Sequence, residues 1–141
     1  MILNRQKRAR VELPSLEKFV RKVKRELRLD GRELAICLVS NAEMARLNKT
    51  YRGKQGPTDV LSFPASVEAA YGRASSNSLG DIAIAPMVAR RNAKRYDRTL
   101  PVELRILILH GVLHLMGYDH ERDSGQMERR ERLLRRRLGL E

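Results

Sequence analysis

Tryptophan is absent from the chain, and phenylalanine occurs only at Phe19 and Phe63, beside four tyrosines. A row of aromatic rings of the kind on which single-strand-binding folds stack bases is therefore poorly supplied. Cysteine is present once, as Cys37, so no internal disulfide can form. Cys37 lies inside the apolar run Leu34–Val39 and reads as a buried, inert thiol. No run of 18 or more apolar residues occurs, which leaves nothing to span a membrane as a helix. The opening Met-Ile-Leu-Asn-Arg-Gln-Lys reaches charge within five residues and lacks the apolar stretch of a signal peptide. These absences point to a cytoplasmic protein. Negative charge is also scarce. Seventeen Asp and Glu stand against twenty-nine Lys and Arg, leaving +12. Such a surplus favours a polyanionic partner, nucleic acid being the commonest. A basic surface that merely keeps the protein in solution would give the same count, so charge alone does not choose.

What is present reads as one domain, since 141 residues without repeats or linkers fit a single core. Residues 1–12 carry few signals beyond a short first strand. Leu16, Phe19, Val20, Val23 and Leu27 recur at helical spacing and predict a helix from Pro14 to about Leu29, stopped by Asp30-Gly31. Glu33–Val39 reads as a central strand, and Ser40-Asn41-Ala42-Glu43 as a capping box opening a helix through Asn48. Tyr51–Pro57 reads as a loop rich in breakers, Asp59–Phe63 as a strand closed by Pro64, and 67–79 as a mobile loop. Gly80–Ala85 is a further strand, followed by a helix from Pro86 to about Tyr96. Thr99-Leu100-Pro101 opens the most apolar helix, running to about Met116. Asp123–Gln126 caps a last helix whose outer surface is expected to carry Arg129, Arg130, Arg132, Arg135, Arg136 and Arg137. The pattern is α+β: one small domain, about four strands in a mixed sheet, with helices packed on it.

All three histidines fall within eleven residues, His110-Gly-Val-Leu-His114-Leu-Met-Gly-Tyr-Asp-His120. Four residues apart on a helix, His110 and His114 are separated by about 40° around the axis and about 6 Å along it, so both rings can face one point. Had the helix continued, His120 would lie about 15 Å from His110 along the axis, too far to share an ion. Gly117 resolves this, because glycine adopts the left-handed conformation that ends a helix and turns the chain back. Three imidazoles without a thiolate suit zinc, with nickel, cobalt or copper as alternatives. Three protein ligands leave a position open for water, the mark of a catalytic site. The spacing matches the zinc-protease pattern H-E-x-x-H-x-x-G-x-x-H except that Gly111 replaces the glutamate that serves there as general base. That departure weighs against a zinc peptidase.

The same stretch, together with Tyr51-Arg52-Gly53-Lys54, Pro57–Pro64 and Gly80-Asp81-Ile82, resembles the YbeY family of bacterial endoribonucleases, from about Leu34 to His120. The resemblance implies a metal-dependent endoribonuclease specific for single strands. Its work would be ribosomal RNA maturation, at the 3′ end of the small-subunit RNA, and ribosome quality control. It implies an α+β fold with a zincin-like metal-binding helix, and His110, His114 and His120 as ligands of one zinc ion. Arg52 and His114 would be the catalytic residues. Implied partners are single-stranded ribosomal RNA, small-subunit ribosomal proteins and an assembly GTPase. Gly56 stands where members often carry a charged residue, and the last helix is unusually basic. Lys54 is a weaker candidate beside Arg52. Asp59, Asp81 and Asp119 read as turn or cap residues, with a bond to a ligand histidine as the alternative. A non-catalytic assembly factor with a structural metal is the remaining rival.

Overall fold

A computed structural model describes residues 1–65, 77–119 and 122–140. Among these, five helices accompany a four-stranded sheet. The strands are β1 (Ile2–Asn4), β2 (Glu33–Leu38), β3 (Val60–Pro64) and β4 (Ser78–Ile84); the helices are α1 (Leu13–Glu26), α2 (Asn41–Arg52), α3 (Pro86–Arg95), α4 (Leu100–Leu115) and α5 (Gln126–Arg137). The sheet order is β1-β2-β4-β3. β1 and β4 both run parallel to β2, whereas β3 is antiparallel to β4, so the sheet is mixed.

Alternation along β2 and β4 sorts side chains onto two faces. Leu34, Ile36, Leu38, Ile82 and Ile84 join α1 and α4 in the larger core. Ala83 joins Val39, Met44, Leu61 and Val88 in a smaller one, with Cys37 and Phe63 half-buried beside it. Burial pushes the Cys37 thiol up from its ordinary range; Asp81 and Glu43 add to this and Arg5 opposes it. The inert reading of that thiol therefore stands on its surroundings. The apolar helix α4 is central, packed on β3, β4, α1, α3 and α5. Leu104, Ile108, Leu109, Val112 and Leu113 are almost wholly buried, as expected of a helix apolar on nearly every side.

Three expected boundaries shift. Helix α1 ends at Glu26, with Arg28 at φ 57°, although Leu27 and Leu29 remain in the core. Helix α2 runs on to Arg52 rather than stopping at Asn48. The Ser40 hydroxyl caps its start by accepting from the Glu43 N–H at 3.1 Å. Its end waits for Gly53, the first residue able to take the left-handed conformation at no steric cost (φ 64°). Strand β4 begins at Ser78, within the expected loop 67–79, of which 67–76 lie outside the described residues. No helix among the described residues is long and apolar enough to cross a membrane.

Candidate active site

The site begins with the helix that carries it. Thr99 caps α4, its hydroxyl accepting from the Val102 N–H at 3.4 Å, and Pro101 occupies the first turn, where a missing N–H costs nothing. From this start the helix delivers His110 and His114 one turn apart. Their ring centroids lie 4.7 Å from each other with planes at 72°, so the two imidazoles converge as the spacing predicts. After Met116 the helix closes with paired bonds from Gly117 N–H to His114 O (3.0 Å) and from Tyr118 N–H to Leu113 O (3.1 Å). Gly117 has φ 101°. This is the left-handed helix stop expected of that glycine, and it returns Tyr118 and Asp119 to the wall of the site. His120, the next residue, lies outside the described residues.

An open cleft of about 590 Å³ faces the two rings. Arg52 reaches it from the end of α2, Asp59 and Ser62 from β3 and the residue before it, and Asp119 from the turn. Arg52, 58 residues before His110 in sequence, therefore shares the cleft with both histidines. It belongs to the last turn of a helix, not to the flexible loop expected for it. Lys54 is exposed and lies outside the cleft lining.

The carboxylate that orients a histidine comes from a residue the sequence reading passed over. Glu131, on α5, accepts from His110 Nδ1 at 2.9 Å. A carboxylate can only accept, so the ring proton sits on Nδ1 and the Nε2 lone pair is left for another partner. Glu131 is in turn 3.6 Å from the Arg135 guanidinium. The sequence did hold a signal: Glu131 is an acidic residue within the run Glu-Arg-Arg-Glu-Arg-Leu-Leu-Arg-Arg-Arg, one turn before Arg135. Arg135 accordingly faces inward to Glu131, and Arg130 is half-buried. The outward face is left to Arg129, Arg132, Arg136 and Arg137.

The three aspartates separate. Asp59 accepts from Asn92 Nδ2 at 3.2 Å and from the Thr58 hydroxyl at 3.4 Å, which holds its carboxylate in the cleft. Asp81 lies inside β4, opposite Ala35 and Phe63, a position within a strand and not in a turn. Asp119 does serve the turn. Its carbonyl accepts from the Arg122 and Asp123 N–H groups, each at 3.1 Å.

At the position of the protease general base, α4 lies against the sheet. Gly111 is buried, and a Cβ there would come within 2.8 Å of Ile82 Cδ1 and 3.2 Å of Ile82 Cγ1 and Cγ2. A glutamate at 111 would enter the core and not the cleft, which removes the structural basis for peptidase chemistry by that route. The donor set that remains suits a divalent transition metal: two converging imidazoles, one with its tautomer fixed by a carboxylate.

Comparison with known proteins identifies the family. The Endoribonuclease YbeY family model matches residues 1–139. A Koribacter versatilis protein named endoribonuclease YbeY is 44% identical over 140 residues, covering 99% of this chain and 86% of its own length. The Solibacter usitatus protein of the same name is 40% identical over 132 residues, covering 94% and 83%. A solution structure of a Thermotoga maritima protein superposes with a TM-score of 0.62 at 28% identity, covering 94% of this chain and 85% of that one. The chain belongs to the YbeY endoribonuclease family.

Proposed function

We propose that the protein is a metal-dependent endoribonuclease that cuts single-stranded RNA in the cytoplasm. Its substrate would be ribosomal RNA, at the 3′ end of the small-subunit RNA, during maturation and ribosome quality control. Small-subunit proteins and an assembly GTPase would be its partners. The observation that carries this reading is the convergence of His110 and His114 on the cleft that Arg52 enters. His110, His114 and His120 would hold the ion, zinc being the best match to three imidazoles and nickel an alternative. When bound, it supplies Lewis acidity toward a phosphoryl oxygen.

The chain's own residues do the rest. Glu131 keeps the His110 proton on Nδ1, so that Nε2 is presented as a neutral ligand. Arg52 offers a planar fork for two phosphate oxygens and balances negative charge as it builds in the transition state. Asp59, steadied by Asn92, stands in the cleft as a carboxylate able to take a proton from water or a ribose hydroxyl.

The deciding experiment is elemental analysis of protein purified without chelator, alongside cleavage of single-stranded RNA before and after chelation. A stoichiometric transition metal and chelator-sensitive cleavage are expected. Protein that neither contains nor takes up such a metal would end the metal reading. Acid should release the ion, because a protonated imidazole has no lone pair left to ligate it.

Two further outcomes follow from the geometry. Glu131→Ala should weaken metal affinity by about 10- to 100-fold, the usual cost of losing a carboxylate behind a ligand histidine. Competition with a metal indicator measures this directly. Affinity for single-stranded RNA should fall by roughly tenfold or more between 50 and 200 mM salt. Replacing Arg129, Arg132 and Arg136 together with glutamine should flatten that slope; an unchanged slope would return this face of α5 to a solubilising role.

A further inference from the structure

A second lobe opens on the other side of His110. It is a cavity of about 300 Å³ that shares Asp59, Val60 and His110 as lining with the main cleft, so the two adjoin at the histidine. Its outer wall is the turn between α3 and α4, which supplies Tyr96 and Arg98, and Arg135 of α5 closes the opposite side. Tyr96 is 58% exposed, more than Tyr51 at 40%. The Arg98 guanidinium sits 5.1 Å from its ring centroid. Arg98 is itself fixed, with its charge bonded at 3.0 Å to the buried Glu103. The result is an aromatic ring held against a cationic plane at the mouth of a cavity that leads to the candidate metal ligands.

The electrostatics select the kind of ligand. Asp59, Glu103 and Glu131 all face this lobe, and Arg98 and Arg135 are engaged with two of them. Three carboxylates face two guanidiniums in the lobe, so a bare phosphate would be repelled. The buried Arg135 Nε, which has no hydrogen-bond partner among the described residues, is a donor suited to the polar edge of a ring. A flat, uncharged ring with polar edges would find a surface suited to it, since nucleobases stack on tyrosine and on guanidinium planes.

We propose that this lobe is a base-binding subsite: a nucleobase of the RNA strand, on the side of the scissile phosphate away from Arg52, stacks on Tyr96. The inference deepens the nuclease reading and rests on it. It also gives single-strand preference a physical origin. A base in a duplex is already stacked and paired within its own helix and must be extracted before it can lie on Tyr96. The scarcity of aromatic residues is no obstacle, because one positioned ring serves one base.

The test compares the wild-type chain with Tyr96→Ala and Tyr96→Phe on single-stranded oligoribonucleotides in which one base at a time is replaced by an abasic site. Cleavage kinetics and binding are both recorded. Stacking on one ring contributes roughly 1–3 kcal/mol per base, so Tyr96→Ala should raise KM by about 5- to 150-fold with kcat little changed. Tyr96→Phe should match wild type. At one abasic position the gap between wild type and Tyr96→Ala should vanish, and that position identifies the base in the lobe. Equal KM for wild type and Tyr96→Ala with cleavage intact, or a gap unaffected at every abasic position, would overturn the subsite while leaving the nuclease reading in place. So would a Tyr96→Phe variant as impaired as Tyr96→Ala. Tyr96-dependent RNA binding by a protein that cleaves no RNA would do the opposite: the lobe would stand and the nuclease reading would fall.

Discussion

His114→Ala is expected to abolish RNA cleavage and to lose the bound metal, whereas Arg52→Ala is expected to keep the metal at full occupancy and still lose activity by about 10²–10³-fold. The different signatures follow from where each side chain stands. His114 is the middle histidine of the motif, with its ring packed beside His110, so its removal would leave the proposed ligand set incomplete. Arg52 arrives from a different helix, and its proposed contribution is charge and geometry offered to the substrate. Deleting one preorganised electrostatic contact of that sort usually costs the amount given. Arg52→Lys should recover only part, since an ammonium is a point charge and cannot grip two oxygens as a planar fork does. Metal content by elemental analysis and single-turnover cleavage separate the two effects. Near-normal cleavage by His114→Ala would assign the nuclease activity to a contaminant or to another part of the chain. Full activity in Arg52→Ala would remove Arg52 from the reaction while leaving the metal site standing.

Gly111→Glu, which would complete the protease pattern, is expected to destabilise the fold severely and not to confer peptidase activity. The Cβ alone crowds Ile82, and overpacking of this sort costs about 1–3 kcal/mol. A carboxylate carried further into the same core adds the larger penalty of an unpaired buried charge. Gly111→Ala should be the milder case, because alanine recovers about 1 kcal/mol of helix propensity against the crowding. Thermal unfolding of both variants, with peptide hydrolysis measured on whatever folds, checks this. A well-folded Gly111→Glu protein would mean that α4 can move off β4 far more easily than its packing indicates.

Some parts of this site were readable in the sequence because they depend on neighbours along the chain. The convergence of His110 and His114 needs only helical periodicity. The stop at Gly117 needs only glycine's freedom at positive φ, and the Asp123-x-Gly125-x-Met127 turn, where Asp123 accepts from both N–H groups at 2.9 Å, is equally local. The missing parts depend on packing. Glu131 meets His110 across 21 residues, and nothing in a helix rich in arginine says which of its faces turns inward. Asp81 reads as near the opening of a strand, because the strand is expected to start at Gly80, whereas β4 begins at Ser78. In the fold Gly80 is a strand residue with φ 132°, where a Cβ would meet the Phe63 carbonyl. Arg52 looked like a loop residue because breakers crowd the positions after it, yet a helix ends where the first of them acts and not where they begin to be frequent.

On the proposed metal reading, the bond between His110 and Glu131 would also tie ion capture to the folding reaction. In an unfolded chain an ion would meet only the short stretch holding the three histidines, with no carboxylate behind any ring. The native chain adds Glu131 only after α5 has docked on α4, and Arg52 only after the parallel crossovers around β2 and β4 have formed, steps slowed by the long loops they close. An ion that prefers the native arrangement then acts as a folding ligand: at one hundred times its dissociation constant it would add about 2.7 kcal/mol to stability. Metal supply would thus set how much of the protein survives, as well as how much of it is active.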